Sequence, residues 1–204
     1  REGIVKGYKY NQTGEHEQAL TEYEKVHEAD TNFFSYALPE KMSVYAILES
    51  YEQVKELGDE YGDFRHKLPA AFYLSYGTAL DQMEMYDEAQ NMYRQLLKEF
   101  PLNYSLWYNY GGSLKLDEKY DLAWEVFQKT IKINPVYDRV HLQVADMAFS
   151  QKQTAKGLLA IHMYLTLTPA NRNTLNTSWK CQTPSQSQNT GVMKTVEPLK
   201  VQIL

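Results

Sequence analysis

The stretch Trp107–Leu114, WYNYGGSL, carries a pair of glycines inside a run of aromatic residues, with Lys115 directly behind it. A glycine-rich loop that binds a phosphate needs such a pair at a strand-to-helix turn, where backbone N–H groups and a helix N-terminus face the anion. A packed helix needs a glycine where a neighbouring element comes close. The sequence around the pair decides between these two interpretations.

The same phrase occurs one period earlier in the chain. Residues 73–80, YLSYGTAL, align with residues 107–114 at a separation of 34 positions. Pro101, Pro135 and Pro169 are also 34 residues apart, and each closes a similar phrase. A fixed period of this length indicates a repeat architecture, which governs how every local motif is interpreted.

Within one period the apolar residues follow helical spacing in two segments. Trp107, Gly111 and Leu114 share one face of the first segment, and Ala123 and Phe127 share one face of the second. A proline ends the second segment because its ring clashes with the preceding turn. Each period is therefore predicted to be a helix–turn–helix hairpin, which must stack on its neighbours to bury its apolar face.

The glycine pair thus falls in the middle of a predicted helix, with no strand before it. This position disfavours the phosphate loop. Gly111 is interpreted as the place where the paired helix approaches, whereas Gly112 is one residue further on and faces another direction. Each glycine costs its helix about 0.5–1 kcal/mol relative to alanine, which close packing must offset.

The pattern resembles the tetratricopeptide repeat (TPR) family, most specifically over residues 70–135. That family favours large, small, large, alanine, aromatic and proline residues at six positions of each repeat. These positions hold Trp107, Gly111, Leu114, Ala123, Phe127 and Pro135 in one repeat and Tyr73, Gly77, Leu80, Ala89, Tyr93 and Pro101 in the preceding one. The resemblance implies an all-α fold, an α-solenoid in which helix hairpins form a right-handed superhelix.

The flanking regions match this pattern less well. From Thr31 to Pro69 there are 38 residues, four more than a plain repeat. The predicted organisation is a TPR-like repeat at 1–33, a degenerate helical repeat with an insertion at 34–69, TPRs at 70–103 and 104–137, a degenerate TPR at 138–169 and a polar tail at 170–204. The tail is rich in Asn, Ser, Thr and Gln, a composition that predicts disorder or an extended peptide. Its closing VEPLKVQIL is equally compatible with a strand-like docking segment and with a tail unrelated to the repeats.

Composition narrows the classes of function. The last 35 residues hold four Lys/Arg and one Asp/Glu, and the first 169 hold 17 and 25. A body this acidic lacks the basic surface that nucleic acids demand. No stretch of about 18 apolar residues predicts a membrane span. No signal peptide is visible, and because the chain starts at Arg1 we expect a processed N-terminus; the compartment stays open.

The sequence contains no recognisable pattern of catalytic or metal-binding residues. The five histidines match no metal-ligand spacing, and the single cysteine, Cys181, lies in the polar tail without a fixed histidine partner. His141 occupies the first of the six family positions in its repeat. We therefore expect no cofactor, no metal and no enzyme activity.

In the TPR family the first helices of successive repeats line a concave groove that receives a peptide. Carried over, this resemblance places ten candidate partner-binding residues in the groove: Leu74, Thr78, Tyr108, Asn109, Gly112, Lys115, Arg139, Leu142, Gln143 and Asp146. It also places Asp81 and Phe149 there. One subfamily clamps a C-terminal carboxylate; Asn109 and Arg139 fit that arrangement, whereas most of its other cationic donors are missing.

The leading hypothesis is a non-enzymatic module that binds a protein or peptide partner in this groove. The alternative is the repeat region of a larger protein, used for scaffolding or self-association. The second helix of the last repeat (155–167) favours the alternative, because it carries four apolar residues with no capping helix visible to cover them: Leu158, Ile161, Leu165 and Leu167.

Overall fold

The computed structural model of the chain describes residues 2–26, 31–64 and 68–168. The chain divides into two units, and the first of them, Arg1–Leu167, contains the helices described below. The predicted tail at 170–204, with Cys181, lies outside the described residues. Every regular element in the described part of the chain is a helix.

The first unit consists of five successive helix pairs. In chain order the helices are α1 (Glu2–Gln12), α2 (His16–Glu24), α3 (Thr31–Ile47), α4 (Tyr51–Tyr61), α5 (Ala70–Gln82), α6 (Tyr86–Glu99), α7 (Tyr104–Leu116), α8 (Tyr120–Ile133), α9 (Asp138–Ser150) and α10 (Thr154–Leu167). A short 3-10 helix, Gly62–Phe64, follows α4. Each helix contacts the next one along the chain, and α3 and α7 also contact α5, so the pairs stack in sequence.

The turn inside each pair has the same backbone conformation. One residue per turn is left-handed, and these residues recur every 34 or 35 positions: Gly14, Glu49, Glu84, Glu118 and Lys152, with φ between 55° and 81°. In each turn the next residue donates its N–H to the carbonyl five positions earlier, at 2.7 to 2.9 Å. This pattern is the Schellman termination of a helix. The five turns therefore supply a common register for all five pairs.

Helix α3 is the one first helix with an unusual length. It has 17 residues, whereas α5, α7 and α9 have 13 each. The four extra residues equal the excess in the spacing from Thr31 to Pro69, and they extend α3 at its N-terminal end. Pro39 lies in the interior of this helix, where proline is normally disfavoured.

Aromatic rings stand over glycines inside the pairs. A Cβ atom on Gly111 would lie 2.7 Å from a ring carbon of Phe127, so only glycine leaves room for α8 against α7. Tyr93 stands over Gly77 in the same way, and Tyr23 stands over Gly7. These rings are buried, and aromatic burial is among the largest single contributions to a core.

The last pair reverses this arrangement. Phe149 of α9 stands over Gly157 of α10, and a Cβ on Gly157 would lie 2.6 Å from the Phe149 ring. Phe149 therefore packs inside its own hairpin. The resemblance to the TPR family had instead placed this residue in the groove. The family pattern did not reveal this ring, because it expects the aromatic residue on the second helix, at the position that Ile161 occupies.

Helix α7 joins the two larger core clusters of the array. Trp107 and Tyr110 pack against the cluster built around Phe72, and also against the cluster that contains Phe127. The Trp107 indole N–H donates to the carbonyl of Pro101 at 2.8 Å. WYNYGGSL is thus the segment through which the central repeats share one core.

His141 has a structural environment that matches that of Trp107. Its Nε2 lies 3.0 Å from the carbonyl of Pro135, which stands six residues before it, as Pro101 stands before Trp107. The side chain is buried. A hydrogen bond of the same kind therefore ties both α7 and α9 to the proline that precedes each of them.

Candidate partner-binding groove

The first helices α1, α3, α5, α7 and α9 form one side of the array, which we call the groove face. Counting back from the left-handed residue of each turn gives equivalent positions on this face. Nine residues back stand Val5, Glu40, Ser75, Asn109 and Gln143, and six back stand Tyr8, Ser43, Thr78, Gly112 and Asp146. This structural register agrees with the one that the sequence predicts for α5, α7 and α9.

The ten predicted groove residues all keep some exposure to solvent. Thr78, Arg139 and Asp146 are exposed, and the other seven are half-buried: Leu74, Tyr108, Asn109, Gly112, Lys115, Leu142 and Gln143. Four of the ten form one connected group. The remaining six do not join it.

The connected group bridges α7 and α9. The Lys115 ammonium donates to Gln143 Oε1 at 2.9 Å and forms an ion pair with Asp146. Gln143 Nε2 lies 3.5 Å from the Tyr108 hydroxyl, at the long end of hydrogen bonding. Two successive first helices thus present a cation, a carboxylate, an amide and a phenol side by side on a partly exposed surface. Such groups recognise the polar backbone and charged side chains of a peptide.

An aromatic cluster adjoins this bridge. The Tyr137 ring centroid lies 5.1 Å from that of Tyr108 in an edge-to-face geometry and 5.0 Å from that of Tyr104. Burial raises the pKa of the Tyr137 hydroxyl. Sequence reasoning missed Tyr104 and Tyr137, although each is a tyrosine at the start of a first helix, shortly after the proline that closes the preceding repeat.

Two other predicted residues donate a hydrogen bond within their own helices. Asn109 donates its amide to the Ser105 carbonyl at 2.8 Å, and the Thr78 hydroxyl donates to the Leu74 carbonyl at 2.8 Å. These bonds occupy the single hydroxyl proton of Thr78 and one of the two amide protons of Asn109, so the Asn109 side chain keeps a second N–H donor and its oxygen acceptor. Nothing lies within 4 Å of a Cβ placed on Gly112, so this glycine is an open patch of α7.

Asp81 is withdrawn from the groove face. Its side chain is only 9% exposed and lies where α5, α6 and α7 meet, close to the hydroxyls of Tyr93 and Ser113. Burial raises the pKa of Asp81 to about 7, against a smaller lowering by the Ser113 hydroxyl. The family register placed Asp81 in the groove because the period alone does not tell which neighbouring helix covers a position.

A cavity of about 380 Å³ opens between α1 and α3, at the N-terminal end of the groove face. Its lining is almost wholly apolar or aromatic: Ile4, Val5, Tyr8, Phe33 and Tyr36, with Glu40 as the charged member. Val5 and Glu40 occupy the position that Asn109 and Gln143 occupy further along the face. Sequence reasoning missed this site because the four-residue extension of α3 hid the register of the second pair.

Within the described ranges no group of three His, Cys, Asp or Glu residues is arranged to hold a metal ion. No helix there is both long and apolar enough to cross a membrane.

These features define an α-solenoid built from repeats. The helix pairs stack, their turns share one conformation, a glycine packs against an aromatic ring within most pairs, and the first helices share one face. The family model of the tetratricopeptide repeat matches residues 70–101, so the predicted resemblance to the TPR family is confirmed, and so is the all-α solenoid fold. Folds of this class serve as protein–protein interaction and scaffold modules. No curated protein matches the sequence.

Solved structures of MamA are similar to this chain in fold. MamA from Desulfovibrio magneticus RS-1 is 16% identical, with a TM-score of 0.64 over 81% of this chain and 93% of that one. A structure of MamA MSR-1 is 17% identical, with a TM-score of 0.57 over 83% of this chain and 96% of that one. Another MamA crystal structure is 18% identical, with a TM-score of 0.58 over 84% and 92%. Identities this low show a shared fold alone.

Proposed function

We propose that this chain is a non-enzymatic interaction module that binds a peptide segment of a partner protein along the groove face. The bridge between α7 and α9 carries the proposal. Lys115, Gln143, Asp146 and Tyr108 come from two consecutive repeats, and their hydrogen-bonding groups stay within reach of solvent. A peptide laid across the two helices would meet all four side chains at once.

The composition of the surface is suited to an extended or amphipathic segment. Tyr108 and Tyr137 offer rigid aromatic area at low entropic cost, and Arg139 adds an exposed cation beside them. Leu142 is half-buried on the same face. Apolar contacts of this kind provide affinity, whereas the neighbouring polar groups fix the orientation of a bound chain.

The test is a binding assay with a paired substitution on the full chain. Partners captured by the wild-type protein are identified, and the capture is repeated with Tyr108→Ala combined with Arg139→Ala. We expect binding to fall at least ten-fold. As a matched control, Tyr120→Ala combined with Lys132→Ala removes an exposed tyrosine and an exposed cation from α8. Equal binding by the groove variant and the wild type would reject the groove.

A second candidate, scaffolding by self-association, is favoured by the exposed face of α10. Leu158, Leu159 and Met163 are exposed there by 59%, 65% and 38%. The positions of Leu159 and Met163 hold exposed polar residues on the two preceding second helices: Asn91 and Gln95 on α6, Glu125 and Lys129 on α8. Light scattering would show a dimer that Leu159→Glu converts to a monomer; a wild-type monomer would reject this candidate.

A further inference from the structure

The cavity between α1 and α3 has the character of a binding site rather than of a packing gap. Val5, Tyr8 and Tyr36 are exposed by 64%, 52% and 67%, although all three are large apolar or aromatic residues. They surround one cavity instead of being scattered. Its volume of about 380 Å³ falls in the range of roughly 300–1,000 Å³ that is usual for ligand pockets.

The cavity lies on the same groove face as the proposed peptide site. Val5, Glu40, Asn109 and Gln143 each stand nine residues before the left-handed residue of their turn. Helices α1 and α3 are in contact, as are α3 and α5, and α5 and α7. The groove face therefore has two chemically different ends, an apolar cavity on α1 and α3 and a polar bridge on α7 and α9.

The charge at the cavity indicates which occupant it suits. Glu40 supplies the only carboxylate of the lining. In the described part of the chain its neighbouring lysines are paired elsewhere, Lys41 with Glu24 and Lys6 with Glu2, and no ion pair engages Glu40. An apolar surface with one unneutralised carboxylate is complementary to an apolar side chain that has a cation next to it.

Resting on the proposed function, we propose that this cavity anchors a large aliphatic or aromatic side chain of the partner's peptide, with an adjacent Lys or Arg paired to Glu40. A symmetric contact between the cavities of two copies is disfavoured because it would bring two Glu40 carboxylates together. A peptide segment can instead run from the cavity along the groove face to Lys115 and Gln143. Burial of the anchor in the cavity supplies affinity, and Glu40 selects the charge beside it.

The experiment is a display selection of random 12-residue peptides on the full chain, followed by fluorescence anisotropy with the enriched peptides. We expect these peptides to share a large apolar residue and, within about four positions of it, a Lys or Arg. Val5→Asp should weaken binding at least ten-fold. Gln18→Asp, at an exposed polar position on α2, is the matched control and should leave binding unchanged.

A charge reversal makes the test specific. Glu40→Lys should lower the affinity for the basic peptides at least ten-fold. The same variant should bind peptides in which that Lys or Arg is replaced by Glu. Tyr8→Ala is a second, milder substitution in the cavity. Circular dichroism checks that both Tyr8→Ala and Val5→Asp keep the helical content of the wild type. Loss of affinity in both, with unchanged helicity, supports the anchor.

Other outcomes overturn the proposal. If no peptide is enriched, or if enriched peptides bind Val5→Asp and Gln18→Asp alike, the cavity is not the anchor. Loss of binding in Tyr108→Ala with Arg139→Ala, but not in Val5→Asp, would reject the anchor and leave the proposed groove standing. A wild-type dimer that Val5→Asp dissociates would assign the cavity to a second copy. A synthetic VEPLKVQIL peptide that competes there would assign it to the chain's own segment.

Discussion

The hairpins α7–α8 and α9–α10 use the same packing device with the partners exchanged. In the first, the ring belongs to the second helix, since Phe127 stands over Gly111. In the second, it belongs to the first helix, since Phe149 stands over Gly157. The hairpin therefore requires one large and one small residue facing each other, and either helix can supply the large one.

The exchange changes what the groove face receives. Phe149 stands three residues before its left-handed turn residue, as Lys115 does in α7. Lys115 reaches across to Gln143 and Asp146 of α9, whereas Phe149 turns back onto its own hairpin. A residue at this position thus either joins consecutive repeats or closes a single one.

The largest expected effect comes from removing the two rings. Phe127→Ala deletes a fully buried ring and should cost about 3–5 kcal/mol of unfolding free energy, because it leaves a cavity over Gly111. Phe149→Ala should cost less, about 1–3 kcal/mol, because that ring is half-buried. Urea denaturation followed by circular dichroism measures both. An equal loss in the two variants would contradict this expectation, because the burial of the ring would then not determine its contribution to stability.

The next effect concerns Asp81, which stands at the same position in the preceding hairpin. Its pKa is about 7 when folded and about 3.9 when unfolded, so the unfolded chain releases its proton first and stability falls as pH rises from about 4 to 7. Asp81→Asn removes the charge and should raise stability at pH 8 by on the order of 2 kcal/mol, with little change at pH 4. Thermal melts across this range measure the difference. A wild-type protein that gains stability between pH 5 and 7, relative to this variant, would contradict the assignment.

The groups around Asp81 determine how the pH profile is interpreted. Tyr93 and Tyr86 of α6 and Ser113 of α7 face or neighbour its carboxyl group. The tyrosines titrate above the range of the experiment because burial raises the pKa of each. A slope between pH 4 and 7 that Asp81→Asn abolishes therefore belongs to Asp81. Asp117→Asn, in the next hairpin, is the matched control.

The glycine pair gives the sharpest contrast between neighbours. Gly111→Ala places a methyl group 2.7 Å from the Phe127 ring and should destabilise the protein by about 1–2 kcal/mol. Gly112→Ala meets no atom within 4 Å and should stabilise it by about 0.5–1 kcal/mol through helix propensity. Midpoints of urea unfolding decide the signs. Two changes of the same sign would show that the packing device is not what Gly111 serves.

The smallest effect tests the turns. Glu118 is left-handed at φ 56° and Lys152 at φ 59°, a conformation that disfavours side chains by about 1–2 kcal/mol. Glu118→Gly and Lys152→Gly should each raise stability by about 0.5–1 kcal/mol, less the entropy that glycine adds to the unfolded chain. Thermal melts of both variants measure the gain. Gly14→Ala should do the opposite in the first hairpin; a stabilising Gly14→Ala would refute the common register.

The central hairpins could be predicted from sequence because their determinants are local and repeated. Trp107, Gly111 and Phe127 recur one period earlier as Tyr73, Gly77 and Tyr93, so spacing alone indicates the helices and the close approach. The same logic separates Gly111 from Gly112, since only one of them faces the paired helix.

The remaining features depend on which element covers a position, and a period does not contain that information. Asp81 and Lys115 are equivalent in sequence, yet one is buried among α5, α6 and α7 and the other bridges to α9. The extension of α3 could equally have formed a loop, because Thr31–Phe34 lacks a proline or glycine that would decide. Without its placement, Glu40 could not be aligned with Val5.

The recurring left-handed turn residue also makes the array divisible. Because every turn reverses the chain with the same bonds, Glu84 and Glu118 mark equivalent points in consecutive hairpins. Joining the chain from one such point to the next removes one helix from each of two pairs and rebuilds a whole pair from the remainder. Excision or duplication between these points would therefore change the length of the array by a whole repeat. Recombination within a gene for such a protein can change the number of repeats in this way.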